Sequence, residues 1–237
     1  MEDTPGTRMR SKAAGRCAAR ESGRFQGALP HSFDSSPSVL PSHAQSRLAR
    51  IKAAIGSHTP TLAERDGTYW EAAVAIVLRP SAGGEGLELL FIKRATREGD
   101  PWSGQIALPG GRFDATDRSL EETAVRETRE EVAIDLATHG EVFGALDEIR
   151  PRNPLLPPVI VRPYVASICA DVTIVPSEEV AGHFWAPLDA ILDPANTRDT
   201  RILVRGFHMR RDAIHHEGHV IWGMTQHILA SFAKVAQ

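Results

Sequence analysis

Runs of apolar residues separated by Pro- and Gly-rich segments predict a chain built mainly of strands. Two runs, Ala72–Leu78 and Leu87–Lys93, are joined by segment 80–86, whose composition is typical of a hairpin loop. The same pattern predicts six further strands, at Gln105–Leu108, Glu141–Leu146, Val159–Ile168, Gly182–Ala186, Ile202–Val204 and Gly206–Met209.

Helical periodicity, with apolar positions three to four residues apart, occurs in fewer places. It predicts two full helices, Leu120–Val132 and Gly223–Val235, and a short amphipathic helix within residues 46–56. Because strands outnumber helices and the two do not alternate regularly, we expect an α+β fold with a mixed sheet.

Residues 1–45 differ from the rest of the chain. They are rich in Ser, Pro, Gly, Ala and Arg and show neither a strand nor a helix period. We interpret them as a disordered N-terminal extension, and residues 46–237 as one globular domain. An organelle transit peptide is the alternative, against which the early acidic residues Glu2 and Asp3 argue.

Composition and charge narrow the function classes. A net charge of −3 and a pI near 6.4 argue against a general nucleic-acid binder, which would carry a strongly basic face. The longest apolar run, Ala72–Leu78, is far shorter than the roughly 18 residues of a membrane helix. The charge therefore favours a small-molecule substrate. Two cysteines are too few for a disulfide framework, so we expect a cytoplasmic protein.

Three glutamates on one predicted helix carry the clearest chemical signal. Glu127, Glu130 and Glu131 stand at i, i+3 and i+4, which places their carboxylates on one face. Ser119 and Glu122 have the spacing of a capping box, in which each side chain would bind a backbone N–H at the helix start. Like charges at this spacing destabilise an isolated helix by about a few tenths of a kcal/mol per pair.

A cation is therefore expected beside the three glutamates, because helix stability does not explain them. Clustered carboxylates suit Mg²⁺ or Mn²⁺, which would bridge to phosphate oxygens. Gly110 and Gly111, just upstream, would allow the backbone to approach the metal or the phosphate closely. A solvated acidic helix face is the alternative.

The whole string resembles the Nudix hydrolase signature: Gly110 and Gly111, a connector, and then Arg126-Glu127-x-x-Glu130-Glu131. The resemblance implies an α/β/α sandwich around a mixed β-sheet and metal-dependent cleavage of a diphosphate. It implies Glu127, Glu130, Glu131 and the Gly110 carbonyl as metal ligands, with Arg126 orienting a glutamate. Glu127, Glu178 and Glu179 are the candidates for the general base.

Two positions depart from the commonest form of that signature. The spacing from Gly111 to Arg126 is one residue longer, which leaves Arg118 where the first glutamate usually falls. Ala133 replaces the usual glycine at the helix end, where glycine adopts the left-handed backbone conformation with the least strain.

The longer spacing is similar to that of the coenzyme A pyrophosphatase subgroup. The segments Leu89–Ala95, Thr123–Glu127 and Ile221–Thr225 also resemble that subgroup. Asp100, however, stands where the coenzyme A signature usually has Arg, and Leu108 where it usually has an aromatic residue. The lost positive charge bears on recognition of a 3′-phosphate.

Four further residues are candidates for substrate binding. Arg94 and Arg112 flank the signature and could contact phosphate, or form exposed ion pairs instead. Trp102 is preferred over Trp185 and Trp222 for stacking on adenine because it lies in a predicted loop, although tryptophan is more often part of a core. The fourth candidate is the loop acid Glu179.

We therefore expect hydrolysis of a nucleoside diphosphate linked to another moiety. Coenzyme A or an acyl-coenzyme A, cleaved to 3′,5′-ADP and (acyl-)4′-phosphopantetheine, is the leading substrate. ADP-ribose or a dinucleotide is the alternative within the same chemistry, and a nucleotide-sensing Nudix module without catalysis is the alternative outside it. The intact glutamates disfavour the sensor. Nudix relatives often form homodimers, so a homodimer is a further expectation.

Overall fold

The computed structural model describes residues 42–151, 156–169, 172–204 and 207–236. Most of the predicted disordered extension, residues 1–41, lies outside these ranges. Ser42 caps the first helix with a complete capping box, so this helix begins at His43 and contains the last residues of the segment that we assigned to the extension.

The described elements follow one another as strands with interspersed helices. The helices are His43–Ser57 (α1), Leu120–Val132 (α2), Leu136–His139 (α3), Leu188–Leu192 (α4) and Gly223–Val235 (α5). The strands are Trp70–Pro80 (β1), Leu87–Arg94 (β2), Ile106–Ala107 (β3), Gly110–Arg112 (β4), Gly140–Ala145 (β5), Val159–Ile168 (β6), Val180–Pro187 (β7), Thr197–Val204 (β8), Phe207–His216 (β9) and His219–Trp222 (β10).

The main sheet is mixed, as predicted. Its strand order is β3-β2-β1-β6-β5, with β7 added to β2 and β4 to β1. Strand β1 runs parallel to β6 and antiparallel to β2, its partner in the predicted hairpin. One edge of β1 is shared, because Leu78–Pro80 pairs with β2 while Ala72–Val74 pairs with β4. Gly110 and Gly111 therefore lie where β2 and β4 diverge.

Helices cover both faces of this sheet and form two cores. Along β1 the buried side chains alternate: Ile76 and Leu78 join a core that includes Ile51 of α1 and Phe232 of α5. Residues Ala73, Ala75 and Val77 join the second core, which includes Ala124 and Val132 of α2. This period of two on a central strand produces the predicted α/β/α sandwich.

Several element predictions need correction. Gln105–Leu108 is not one strand: only Ile106–Ala107 is extended, and the glycine pair opens a strand of its own. Strands β8 and β9 are much longer than predicted and form a separate antiparallel sheet with the unpredicted β10. Helices α3 and α4 were not predicted, because four and five residues are too few to show a period.

The start of α2 also differs in detail from the prediction. Ser119 Oγ accepts from the Glu122 N–H at 3.2 Å, as a capping box requires. The Glu122 carboxylate, however, accepts from the backbone N–H and guanidinium of Arg118 instead of returning to Ser119. No helix in the described ranges is long and apolar enough to cross a membrane.

Ala133 ends α2 in the left-handed region, with φ 60° and ψ 21°. Its methyl group is exposed, so removing it costs no packing. We expect Ala133→Gly to raise the free energy of unfolding by about 1 kcal/mol, because an L side chain is strained there. Urea unfolding measures the change. Ala53→Gly, on the exposed face of α1, is the control and should lower the free energy of unfolding by about the same amount. A loss of stability in both variants would contradict the strain argument.

Candidate active site

The backbone of β4 lies directly against the carboxylates of α2. A Cβ atom on Gly111 would stand 2.5 Å from Glu127 Cδ, and one on Gly110 would stand 2.3 Å from the Ala73 carbonyl oxygen. Gly110 also has a φ of 149°, which L residues rarely adopt. Gly110 is thus required for the close pairing of β4 with β1, and the missing side chain at Gly111 leaves space that the Glu127 carboxylate occupies.

Glu131 is the deepest of the three glutamates. It is 3% exposed, and its Oε2 accepts from the Gly110 N–H at 2.9 Å. Burial raises the pKa of Glu131 to about 7, and the charges of Glu127 and Glu179 act in the same direction, while the Gly110 N–H opposes them. A carboxylate held out of water in this way gains most from a cation.

The other two glutamates are less buried and share one partner. Glu127 Oε1 accepts from Arg126 Nη1 at 2.8 Å, and Glu130 Oε2 accepts from the same nitrogen at 3.0 Å. Burial raises the pKa of Glu127, against the lowering effect of Arg126. The Glu127 side chain is 16% exposed and the Glu130 side chain 54%, so only Glu131 of the three is fully buried.

Arg126 uses all five of its N–H donors within the protein. Besides the two glutamates, it donates from Nε and Nη2 to the two oxygens of Asp117, at 2.8 and 2.9 Å, and from Nη2 to the Arg112 carbonyl at 3.0 Å. No donor remains for a substrate phosphate. In this geometry Arg126 links Asp117 to Glu127 and Glu130.

Asp117 is a site residue that the sequence reasoning did not assign. It is buried, and besides Arg126 it binds the Thr123 hydroxyl and the Asp114 N–H. The Arg126 guanidinium holds the pKa of Asp117 well below its usual range. The longer spacing between Gly111 and Arg126 was the available signal. Arg118 pairs with Glu122 at the surface, and Asp117, one position before Arg118, binds Arg126.

The oxygen atoms at this site are of the type that binds a hard divalent cation. In the described ranges, however, no three His, Cys, Asp or Glu side chains are arranged as a metal cage. Glu127 and Glu130 are turned toward Arg126. Glu127 and Glu131 nevertheless supply a half-buried and a buried carboxylate beside the backbone of β4, and burial disfavours the charged form of both. Carboxylate and backbone oxygens are the ligands that Mg²⁺ and Mn²⁺ prefer.

A cleft of about 280 Å³ opens on the other side of the glycine pair, and we call it the Gly-Gly cleft. Its walls are largely apolar, from β1, β6 and the start of α5. Three of the residues predicted to bind substrate line it. The lining includes Val74, Arg94, Trp102, Gly110, Gly111, Arg112, Val161, Ile228 and Trp70, the last of which the sequence reasoning missed.

The charged residues of the Gly-Gly cleft are engaged with neighbours. Arg94 donates to Asp100 Oδ2 from Nη2 at 2.9 Å, and Asp100 Oδ1 accepts the Trp102 N–H. The Arg112 guanidinium lies over the Trp70 ring, 4.2 Å from its centre. Asp100, in place of the expected arginine, thus anchors the loop that carries Trp102 and offsets the charge of Arg94.

The remaining candidates lie elsewhere. Glu179 does not line the cleft: its carboxylate accepts from Arg97 at 2.9 Å, although its charge reaches Glu127 and Glu131. Trp185 stacks with Arg79, and Trp222 lines a different cavity.

The signature, the fold and the glycine pair agree with a sequence match to the NUDIX domain over residues 69–206. The chain belongs to the Nudix family. An uncharacterized protein of Schizosaccharomyces pombe is 42% identical over 120 residues, 46% of this chain and 35% of that protein. The uncharacterized Nudix hydrolase NudL of Yersinia pestis is 35% identical over 133 residues, 56% of this chain and 64% of that protein.

A solved Nudix structure shows the same fold. The MutT/nudix family protein from Enterococcus faecalis matches with a TM-score of 0.50 and 18% identity, over 73% of this chain and 64% of that one. The predicted Nudix fold is confirmed. The matched regions are 35% and 64% of the lengths of the two sequence relatives, so this chain spans only part of each.

Stability of the metal-free Nudix domain should depend on pH through Glu131. Its pKa is about 7 in the folded protein and near 4.5 in the unfolded chain, so the folded state binds this proton more tightly. The resulting stabilisation is complete below pH 4.5 and is lost as the pH rises through 7.

Glu131→Gln should therefore gain stability relative to wild type as the pH rises from 4.5 to 8, by about 3 kcal/mol at most. Urea unfolding in EDTA at both pH values measures it. Glu121→Gln, an exposed change on the same helix, is the control. A stability difference that stays constant with pH would contradict the burial argument.

Loss of the Asp117 charge should destabilise the Nudix helix. We expect Asp117→Asn to lower the free energy of unfolding by about 2 kcal/mol, because Arg126 loses a buried charged acceptor. Glu122→Gln breaks an ion pair whose arginine side chain is 88% exposed, and should cost less than about 0.5 kcal/mol. Thermal or urea unfolding compares the two variants; similar costs would show that Asp117 does not hold Arg126 in place.

Proposed function

We propose that this chain hydrolyses a nucleoside diphosphate linked to another moiety, with coenzyme A and its acyl esters as the leading substrates. The products from coenzyme A are 3′,5′-ADP and 4′-phosphopantetheine. The observation that carries the proposal is a pair of carboxylates beside the glycine pair: Glu131 is buried against the Gly110 N–H and Glu127 is half-buried beside Gly111, and the two glycines line an apolar cleft.

Glu127, Glu131 and the Gly110 carbonyl would hold Mg²⁺ or Mn²⁺, with Glu130 joining once its exposed carboxylate leaves Arg126. Such an ion, when bound, neutralises charge on the diphosphate oxygens and lowers the pKa of water. Hydrolysis forms a bond from the water oxygen to one phosphorus and breaks the bond from that phosphorus to the bridging oxygen, which leaves with the other phosphate.

The protein contributes orientation and proton transfer. Arg126, fixed by Asp117, sets the direction of the Glu127 carboxylate. The proton of the attacking water needs an acceptor, and among the acids considered Glu179 is supported by its charge acting on both buried glutamates. This role requires its ion pair with Arg97 to open. The apolar walls of the Gly-Gly cleft, with Trp70 and Trp102, suit a nucleobase.

A second substrate class is favoured by one observation. Asp100 is ion-paired with Arg94, so this corner of the Gly-Gly cleft offers little net positive charge to a 3′-phosphate. A diphosphate without that phosphate, such as ADP-ribose or a dinucleotide, would lose nothing there.

Product analysis by mass spectrometry tests the proposal. The purified protein is incubated with Mg²⁺ or Mn²⁺ and, separately, with coenzyme A, ADP-ribose and NADH. We expect 3′,5′-ADP from coenzyme A. We expect EDTA to abolish turnover and Glu131→Gln to reduce it at least about a hundredfold, whereas Glu121→Gln on the same helix should leave it unchanged.

The outcomes separate the alternatives. Turnover of ADP-ribose or NADH alone would retain the metal site and reject coenzyme A. Binding of a nucleotide without turnover, unaffected by EDTA or by Glu131→Gln, would contradict the hydrolase proposal and favour a sensor.

A further inference from the structure

A second cavity, of about 440 Å³, lies beside the Gly-Gly cleft, and we call it the outer cavity. It is bounded by the loop before β3, by the end of β2 and by the three-stranded sheet. The side chains used below are Lys93, Ser103, Ile202, Leu203, His219 and Val220. Its volume is in the range of small-molecule sites, about 300 to 1,000 Å³.

The two cavities share a wall. Asp100, Gln105 and Ile106 line both of them. The loop is held in place: Gln105 donates to the Pro101 carbonyl, and Asp100 binds Arg94. A ligand that occupies the Gly-Gly cleft therefore has only this short segment between it and the outer cavity.

One wall of the outer cavity is aliphatic. It is formed by Ile202 and Leu203 of β8 and by Val220 of β10. Leu203 is 62% exposed, so a ligand could bury additional apolar surface here. This wall offers few hydrogen-bonding groups to a ligand.

The opposite side offers polar groups. Lys93 has no ion-pair partner within the described ranges. The Ser103 hydroxyl accepts the Arg97 N–H and retains its own proton for donation. The His219 ring, which also lines the cavity, is held parallel to Phe184, at 3.9 Å between centres. The charge of Asp100 is offset by Arg94.

We infer that the outer cavity binds the part of the substrate beyond the diphosphate, and that it takes an aliphatic arm bearing amide or hydroxyl groups. This inference rests on the proposed function and names the leaving-group class. An arm with methylene or methyl groups on one side and amides on the other satisfies both walls.

Blocking the outer cavity tests the inference. Val220→Trp places a large side chain in it from β10, and Val175→Trp is the matched control at a position that is 60% exposed and lines neither cavity. Isothermal titration calorimetry with 4′-phosphopantetheine measures binding directly. We expect Val220→Trp to weaken binding at least tenfold and Val175→Trp to leave it unchanged.

A second pair of variants guards against misfolding of the first. Leu203→Asp puts a charge on the aliphatic wall, and Leu62→Asp makes the same change at an equally exposed leucine, 60% against 62%. Only Leu203→Asp should weaken 4′-phosphopantetheine binding.

Kinetics provide the activity readout. Val220→Trp should raise KM for coenzyme A at least tenfold with little change in kcat. It should leave kcat/KM unchanged for ADP carrying a methyl group on its terminal phosphate, which has no arm.

Failure of this inference is distinguishable from failure of the proposed function. If wild type hydrolyses coenzyme A but Val220→Trp and Leu203→Asp change neither KM nor binding, or affect both substrates equally, the outer cavity does not hold the arm. No binding of 4′-phosphopantetheine to wild type would overturn the inference as well. If binding behaves as expected but no diphosphate is hydrolysed, the cavity assignment stands and the proposed hydrolysis is wrong.

Discussion

Close contact between a helix and a strand that begins with two glycines determines the rest of the site. Glu127 occupies space beside Gly111, Glu131 is buried against the Gly110 N–H, and burial raises the pKa of both carboxyl groups. Two carboxylates in such a place are unfavourable to the fold on their own. One N–H of Arg126, donated to Glu127, and the N–H of Gly110, donated to Glu131, offset part of that cost, and a bound divalent cation would offset more.

The fold was largely predictable, because strong periodicity marks the elements that carry the core. Val159–Ile168, Leu120–Val132 and Gly223–Val235 were predicted with their observed bounds. Short elements were missed, since α3 and α4 have too few residues for a period to appear. The extent of β8 and β9 was underestimated because their exposed positions are occupied by charged residues, so little of the pattern is apolar.

Only those site residues that lie close together in the sequence were predictable. The spacing of Glu127, Glu130 and Glu131 identified the helix face, but sequence spacing does not reveal that Glu130 remains exposed while Glu131 is buried. Asp117 and Trp70 were missed because neither contact follows a helix or strand period: Asp117 forms an ion pair with Arg126, and Trp70 a cation–π contact with Arg112. Tertiary contacts of this kind leave no periodic signal.

The parallel pairing of β1 with β6 also constrains the order of folding. Trp70 lies opposite Val159, so β1, the strand that pairs with the glycines, has a partner strand that is far along the chain. Contacts of such long range close slowly, because the intervening chain must be ordered first. During synthesis, the glycine pair and the acidic helix leave the ribosome well before β6 does. The sheet that supports the candidate site is therefore complete only after β6 has emerged, and the acidic helix spends an interval without the complete native sheet.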